Sequence, residues 1–243
     1  MQGSMTTNGK TSRLFRIFSR PRFICLIGID GSGKTTQSRR LVEESIAVPY
    51  PPKYMWCRYS RRLSGYAVRF ARTHSRTAGE DSYVQDKRMK SALFRRKWIA
   101  VLWAYASLVE YWCQILFSIV PRRLAGYSIT CDRYTDDALA DLVANIGCDR
   151  NDISSLLDNP ILRLYPKPDA TIYLRISPET SVSRKDDPNV PSIEYLRERA
   201  SIYDVLADIQ RHIVVDAEQP SEQVFQEIIS LLEERIDSTG GDC

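Results

Sequence analysis

Residues 23–36 read Phe-Ile-Cys-Leu-Ile-Gly-Ile-Asp-Gly-Ser-Gly-Lys-Thr-Thr. An apolar, partly β-branched run enters a glycine-rich turn, and a helical pattern follows from Lys34. Gly28, Gly33, Lys34 and Thr35 fill the spacing Gly, four residues, Gly-Lys-Ser/Thr. Glycines let a backbone bend around an anion with no Cβ in the way. The loop from Gly28 through Ile29, Asp30, Gly31, Ser32, Gly33, Lys34, Thr35 and Thr36 then turns successive N–H groups toward phosphate oxygens. The helix N-terminus adds a partial positive charge. Lys34 reaches the β- and γ-phosphates, and Thr35 offers its hydroxyl to Mg²⁺. The competing reading is a chance glycine-rich turn. The strand before the loop and the helix after it argue against that.

A strand that feeds such a loop belongs in a parallel sheet, and the rest of the chain supplies partners. Lys53–Cys57, Ser128–Tyr134, Pro168–Ile176 and His212–Asp216 read as four more strands. Helical patterns fall between them, at Lys34–Val48, Trp98–Val120, Thr135–Ala144, Asn151–Leu157, Ser192–Gln210 and Ser221–Arg235, with Pro178 opening a further helix. Alternating strands and helices mean a sheet covered on both faces. The expected fold is α/β, a three-layer P-loop NTPase with a five-stranded parallel sheet and a short lid at 184–192. The domain is expected over 23–236, with flexible tails at 1–22 and 237–243. Within the first tail, Leu14–Phe18 reads as a short amphipathic piece.

The chain has 243 residues and a net charge of +4, too mild to select a nucleic acid or any other partner. Its six cysteines show no paired metal spacing, and its two histidines argue against a histidine-rich metal site. Reduced thiols and the lack of a secretory signal pattern suggest the cytoplasm. Between Arg58 and Lys97 stand twelve Lys/Arg against three acids. That section reads as a solvated insertion, with an anion-binding rim, a nucleic-acid patch or a membrane-surface contact as sharper alternatives. Trp98–Val120 spans 23 residues with Glu110 as its sole formal charge. A carboxylate in mid-membrane is costly, so a buried core helix is expected rather than a span. Trp103, Ser107, Glu110 and Gln114 share one face of that helix.

Phosphoryl transfer needs positioning and cations more than covalent chemistry. A carboxylate at the end of a neighbouring strand should hold Mg²⁺, and Asp132 is placed for it; Arg133 beside it should point at a phosphate. Asp30, inside the loop, is a candidate for touching the acceptor. Arg184 and Lys185, before the polar loop, are candidate cations for a lid.

These four stretches together resemble the thymidylate kinase family of P-loop nucleoside monophosphate kinases. They are Gly28–Thr36, Cys131-Asp132-Arg133-Tyr134, the Pro168–Glu179 strand and turn, and Val214-Val215-Asp216-Ala217. The resemblance implies ATP, Mg²⁺ and γ-phosphoryl transfer to a nucleoside monophosphate, typically dTMP. Carried over, Lys34 and Arg133 stabilise phosphate charge, Thr35 and Asp132 serve the metal, and Asp30 contacts the acceptor. The loop lacks an arginine, and family members of that kind take catalytic cations from the lid, here Arg184 with Lys185. Relatives of this type are often dimers through core helices, which implies a homodimer through residues 98–120.

The departures lie on the acceptor side. The family's Arg-Glu-Pro-Gly-Gly run after strand two is reduced to Arg58. Its Asp-Arg pair in the core helix corresponds to Glu110-Tyr111, so that arginine is missing. Its Ser and Tyr-Gln after Asp-Arg-Tyr are replaced by Thr135-Asp-Asp-Ala-Leu-Ala-Asp141-Leu142. The expected acceptor site is therefore Asp30, Arg58, Glu110, Tyr111, Gln114 and Arg133. Two other readings stand beside a dTMP kinase. One keeps the donor half and changes the acceptor to another nucleotide, a nucleoside, or a sugar or lipid intermediate. The other is an ATP-binding regulatory module with little turnover.

Overall fold

The computed structural model describes residues 4–58, 97–146, 150–184 and 191–239. Among them, five parallel strands form one sheet in the order β2-β3-β1-β4-β5. The strands are β1 (Phe23–Ile27), β2 (Pro52–Trp56), β3 (Ser128–Asp132), β4 (Ala170–Arg175) and β5 (Ile213–Asp216). The expected five-stranded α/β architecture is observed, with each strand within about two residues of its sequence reading.

The strand side chains alternate between two cores, as a period of two requires. Ile24 and Leu26 of β1, with Ile172 and Leu174 of β4, face one core. Helices α1 (Ser4–Ile17), α2 (Lys34–Glu44) and α10 (Ser221–Thr239) cover that side. Phe23, Cys25 and Ile27 of β1, with Tyr173 of β4, face the other. There α3 (Lys97–Ser118), α5 (Thr135–Ile146) and α9 (Ile193–Gln210) close the layer. Short helices α4 (Val120–Leu124), α6 (Arg150–Leu157), α7 (Pro160–Arg163) and α8 (Pro178–Ser183) fill the connections. Ser192 caps α9, its side chain accepting from Tyr195 N, and Ser177 caps α8 in the same way.

The expectation of a flexible tail over 1–22 is corrected. Residues 4–17 are helical, and Leu14, Ile17 and Phe18 are buried against α10 in the first core. The spacing of 14, 17 and 18 puts all three on one helix face. Few apolar residues precede Leu14, so the helix draws its stability from that packing and not from its own propensity. At the other end α10 continues to Thr239, into the segment read as a tail.

Helix α3 is a core helix, as expected. Leu108, Tyr111, Ile115 and the following Ile119 are buried. None of the described helices is long and apolar enough to cross a membrane. The basic segment 59–96 and Lys185 lie outside the described residues.

Candidate functional site

Strand register brings the site together. Leu26 pairs with Asp132, and Trp56 also pairs with Asp132. The carboxyl ends of β1, β2 and β3 therefore meet where the glycine loop begins. Ligands bind at this end of open parallel sheets.

The loop depends on two of its glycines. Gly28 has φ +143, and a Cβ there would stand 2.7 Å from the Leu174 carbonyl oxygen. Gly31 has φ +84, with its Cβ position 2.9 Å from the Ser181 carbonyl oxygen. Side chains rarely adopt these conformations, and backbone atoms cannot give way. The Ser181 hydroxyl donates to the Asp30 carbonyl, so α8 packs directly on the loop.

Lys34 is 4% exposed. Its ammonium donates to the carbonyls of Gly28 at 2.7 Å and Ile29 at 2.6 Å. Burial, and then the Arg133 charge, push its pKa down to about 8. A cation held back in this way is ready to exchange loop carbonyls for an anion.

Thr35 and Asp132 are joined directly. The Thr35 hydroxyl donates to Asp132 Oδ2 at 2.5 Å, and Tyr54 donates to the same oxygen at 3.0 Å. Asp132 Oδ1 is buried with no hydrogen-bond partner among the described residues. A buried, unpaired carboxylate oxygen beside a hydroxyl is a hard-oxygen donor set of the kind Mg²⁺ takes. Thr35 and Asp132 thus fit the metal expected of them.

Arg133 is paired with Asp30 and, at 3.0 Å, with Asp137. Burial works against its charge, but Asp137 and Asp30 outweigh that and raise its pKa above the ordinary arginine value. Its φ is +72, unusual for a residue with a side chain, and its N–H donates to the Leu26 carbonyl at 3.0 Å. Tyr134 turns back into the core, its ring edge-on to Phe23 and its hydroxyl on the Pro166 carbonyl at 2.8 Å.

The acceptor-side expectations divide. Tyr111 is 1% exposed, and its hydroxyl donates to the Cys57 carbonyl at 2.8 Å. Gln114 Nε2 donates to the Arg58 carbonyl at 3.2 Å. Both residues hold the main chain leaving β2, and the burial of Tyr111 turns its ring toward the core. The helix turns Tyr111 toward the core because Leu108 and Ile115 lie on the same stripe. Arg58 itself is exposed and Glu110 half-buried. Arg184 is exposed at the end of α8 and donates to the Glu218 carbonyl at 3.3 Å, one turn from Ser181.

Several residues of this region escaped the sequence reading. Glu218 accepts from Ser177 N and from the Thr180 hydroxyl, both at 2.7 Å, tying the chain after β5 to α8. Asp137, Arg199 and Tyr203 form a buried polar cluster behind Arg133. Only the two aspartates after Asp-Arg-Tyr signalled it. A cavity of about 740 Å³ lies elsewhere, at the amino ends of β4 and β5, between Ala170, Ile213 and His212. That is the end of the strands remote from the loop, so the cavity is not this site.

No protein-family model matches the chain. The chain is similar to curated thymidylate kinases along most of its length. It is 26% identical over 221 residues to a probable thymidylate kinase of Pyrobaculum calidifontis, covering 89% of this chain and 98% of that one. It is 27% identical over 235 residues to the thymidylate kinase of Desulforapulum autotrophicum, covering 88% and 92%. To a probable thymidylate kinase of Methanocaldococcus jannaschii it is 29% identical over 213 residues, covering 86% and 95%. Similarity of this extent supports a thymidylate kinase-like relationship.

Proposed function

We propose that this chain is an ATP- and Mg²⁺-dependent nucleoside monophosphate kinase that converts dTMP to dTDP. The observation that carries the reading is the Thr35–Asp132 pair, with Asp132 Oδ1 buried and without a hydrogen-bond partner among the described residues. The similarity to thymidylate kinases over both chains' length supports it.

In this reading the loop N–H groups from Gly28 to Thr36 hold the triphosphate. Lys34 leaves the Gly28 and Ile29 carbonyls for phosphate oxygens. Thr35 and Asp132 hold Mg²⁺, which neutralises phosphate charge when bound. Arg133 adds a second fixed cation, and Asp30 orients the acceptor. Arg184, with Lys185, supplies further positive charge from the lid side. Arg58 and Glu110 stand on the acceptor side. Catalysis is then positioning and charge stabilisation, with no covalent intermediate on the protein.

A second reading keeps this donor half and changes the acceptor. It is favoured by Tyr111, which is buried with its hydroxyl on the Cys57 carbonyl where the family has an arginine. One experiment separates the two. The protein is incubated with ATP, Mg²⁺ and a panel of nucleoside monophosphates, nucleosides and phosphorylated sugars, and ADP is measured. Fastest turnover with dTMP supports the first reading. Turnover only with another member of the panel establishes the second, and ADP release indifferent to any acceptor sinks both.

The proposal extends to a cytoplasmic setting, in keeping with free thiols at Cys25, Cys57, Cys113 and Cys131. It includes a homodimer through α3, where Tyr105, Val109 and Phe117 are exposed.

A further inference from the structure

The ion pairs around Arg133 do not end at Asp137. One oxygen, Asp137 Oδ1, is shared by three groups: Arg133 Nη1 at 3.0 Å, the Tyr203 hydroxyl at 2.6 Å and Arg199 Nη2 at 3.8 Å. Arg199 Nη2 also donates to the Tyr203 hydroxyl at 2.9 Å, so the phenol accepts from one side and donates on the other. The second arm of the Arg199 fork pairs with Asp141 and donates to Tyr195 at 3.3 Å. Arg199 is 5% exposed, Asp137 3% and Tyr203 0%. A continuous chain of charge thus runs from Asp30 in the loop through Arg133, Asp137 and Arg199 to Asp141. It joins β3 and the loop to α5 and α9.

Two features set this apart from an ordinary helix-packing ion pair. First, Arg133 and Arg199 draw on the same carboxylate oxygen, while Asp137 Oδ2 has no hydrogen-bond partner among the described residues. The pull of one guanidinium on Oδ1 therefore limits the pull of the other. Arg133 is kept divided between Asp137 and Asp30. Second, Arg133 sits at φ +72, a backbone state that persists only where its surroundings over-determine it. A planar, always charged fork suits a role that needs several fixed bonds at once.

We propose that Arg199 is a positioning residue: through Asp137 it sets the orientation of Arg133, and through Arg133 that of Asp30 in the phosphate loop. The consequence for turnover rests on the kinase reading above, whereas the geometric consequence does not. Without Arg199, Arg133 closes on Asp137 and releases Asp30.

Arg199→Met tests this, with Arg199→Lys and Asp141→Asn as variants less disruptive to folding. In the folded Met variant kcat falls at least tenfold while the KM for ATP stays within twofold. In an Arg133→Met background the same substitution has no further effect on kcat, because the two act as a unit. The Lys variant, which keeps the charge but not the fork, falls between. A helix-packing role would lower the melting temperature but leave the two substitutions independent in kcat. A second readout needs no substrate: the Arg133 Nη2–H resonance shifts in the Met and Asn variants as its bond to Asp30 is lost. An unmoved resonance, or kcat within twofold of the parent in folded variants, overturns the proposal. If the parent turns over no acceptor, the kinase reading fails and the resonance alone decides.

Discussion

The Thr35 hydroxyl donates a 2.5 Å hydrogen bond to the carboxylate of Asp132, 97 residues further along the chain. The register of β1 on β3 makes the contact, and the other Asp132 oxygen is buried with no hydrogen-bond partner among the described residues. An unpaired buried carboxylate oxygen disfavours the isolated site and favours a cation there. Asp132→Asn should therefore lower turnover by about 10²-fold or more, on the scale of losing one charge-stabilising group. It should also raise the Mg²⁺ concentration needed for half-activation. ADP formation titrated with Mg²⁺ checks both, and an unchanged Mg²⁺ dependence would remove Asp132 from the metal site.

Lys34 gives a pH signature. Burial holds its pKa at about 8 in the ligand-free protein, against 10.5 in its absence. A phosphate on the loop favours the charged form, so nucleotide binding near pH 9 should take up a proton. Calorimetry in two buffers of different ionisation enthalpy reads that uptake, which Lys34→Met should abolish. The same shift has a stability consequence. The unfolded chain binds more protons than the folded one between about pH 8 and 10.5, so this residue's contribution to stability rises with pH across that window.

Tyr111→Phe should cost about 1 kcal/mol of stability through the lost bond to the Cys57 carbonyl. Because Tyr111 faces the core, the KM for the acceptor should stay within about twofold of the parent. Denaturation with urea and steady-state kinetics measure the two effects. A large KM change with unaltered stability would return Tyr111 to the ligand surface.

Ile17, fully buried, anchors α1 on the first core. Ile17→Ala should destabilise the fold by about 2–4 kcal/mol. Phe15 lies 43% exposed on the same helix, and Phe15→Ala should change stability by less than about 1 kcal/mol. Equal effects at the two positions, read from urea midpoints, would mean that α1 is not docked.

Gly31→Ala places a Cβ 2.9 Å from the Ser181 carbonyl in a left-handed backbone. The loop or α8 must then move, and ATP affinity should fall at least tenfold while the sheet stays folded. Equilibrium binding of a fluorescent ATP analogue, with circular dichroism as the control for folding, measures this. Parent-like affinity would show that the loop tolerates the contact.

Much of the molecule is legible in the sequence because its signals are local. Strand and helix periods, the glycine spacing and the capping serines lie within a few residues of the structure they specify. Asp132 was identified because strand ends in a parallel sheet fall at one edge, a rule of topology and not of distance. The same locality explains the errors. The apolar face of α1 is stabilised by α10, more than 200 residues later; the amphipathic piece at Leu14–Phe18 is visible locally, but the surface it docks on is not. Tyr111 is a candidate for the acceptor side only because it stands where the family has an arginine, and such a correspondence does not say whether a phenol meets a ligand or a carbonyl.

The amino-acid sequence by itself determined the loop and the succession of strands along the chain, and it singled out Thr35 and Asp132, which the fold brings into contact. Tertiary structure alone decided the pairing of Asp30 with Arg133 and the sharing of Asp137 by Arg133, Tyr203 and Arg199. Those partners lie between 4 and 103 residues apart and come from separate elements. Each is an ordinary charged or polar side chain in its own neighbourhood. Packing of α5 and α9 takes them out of water, and only there must every charge find a partner.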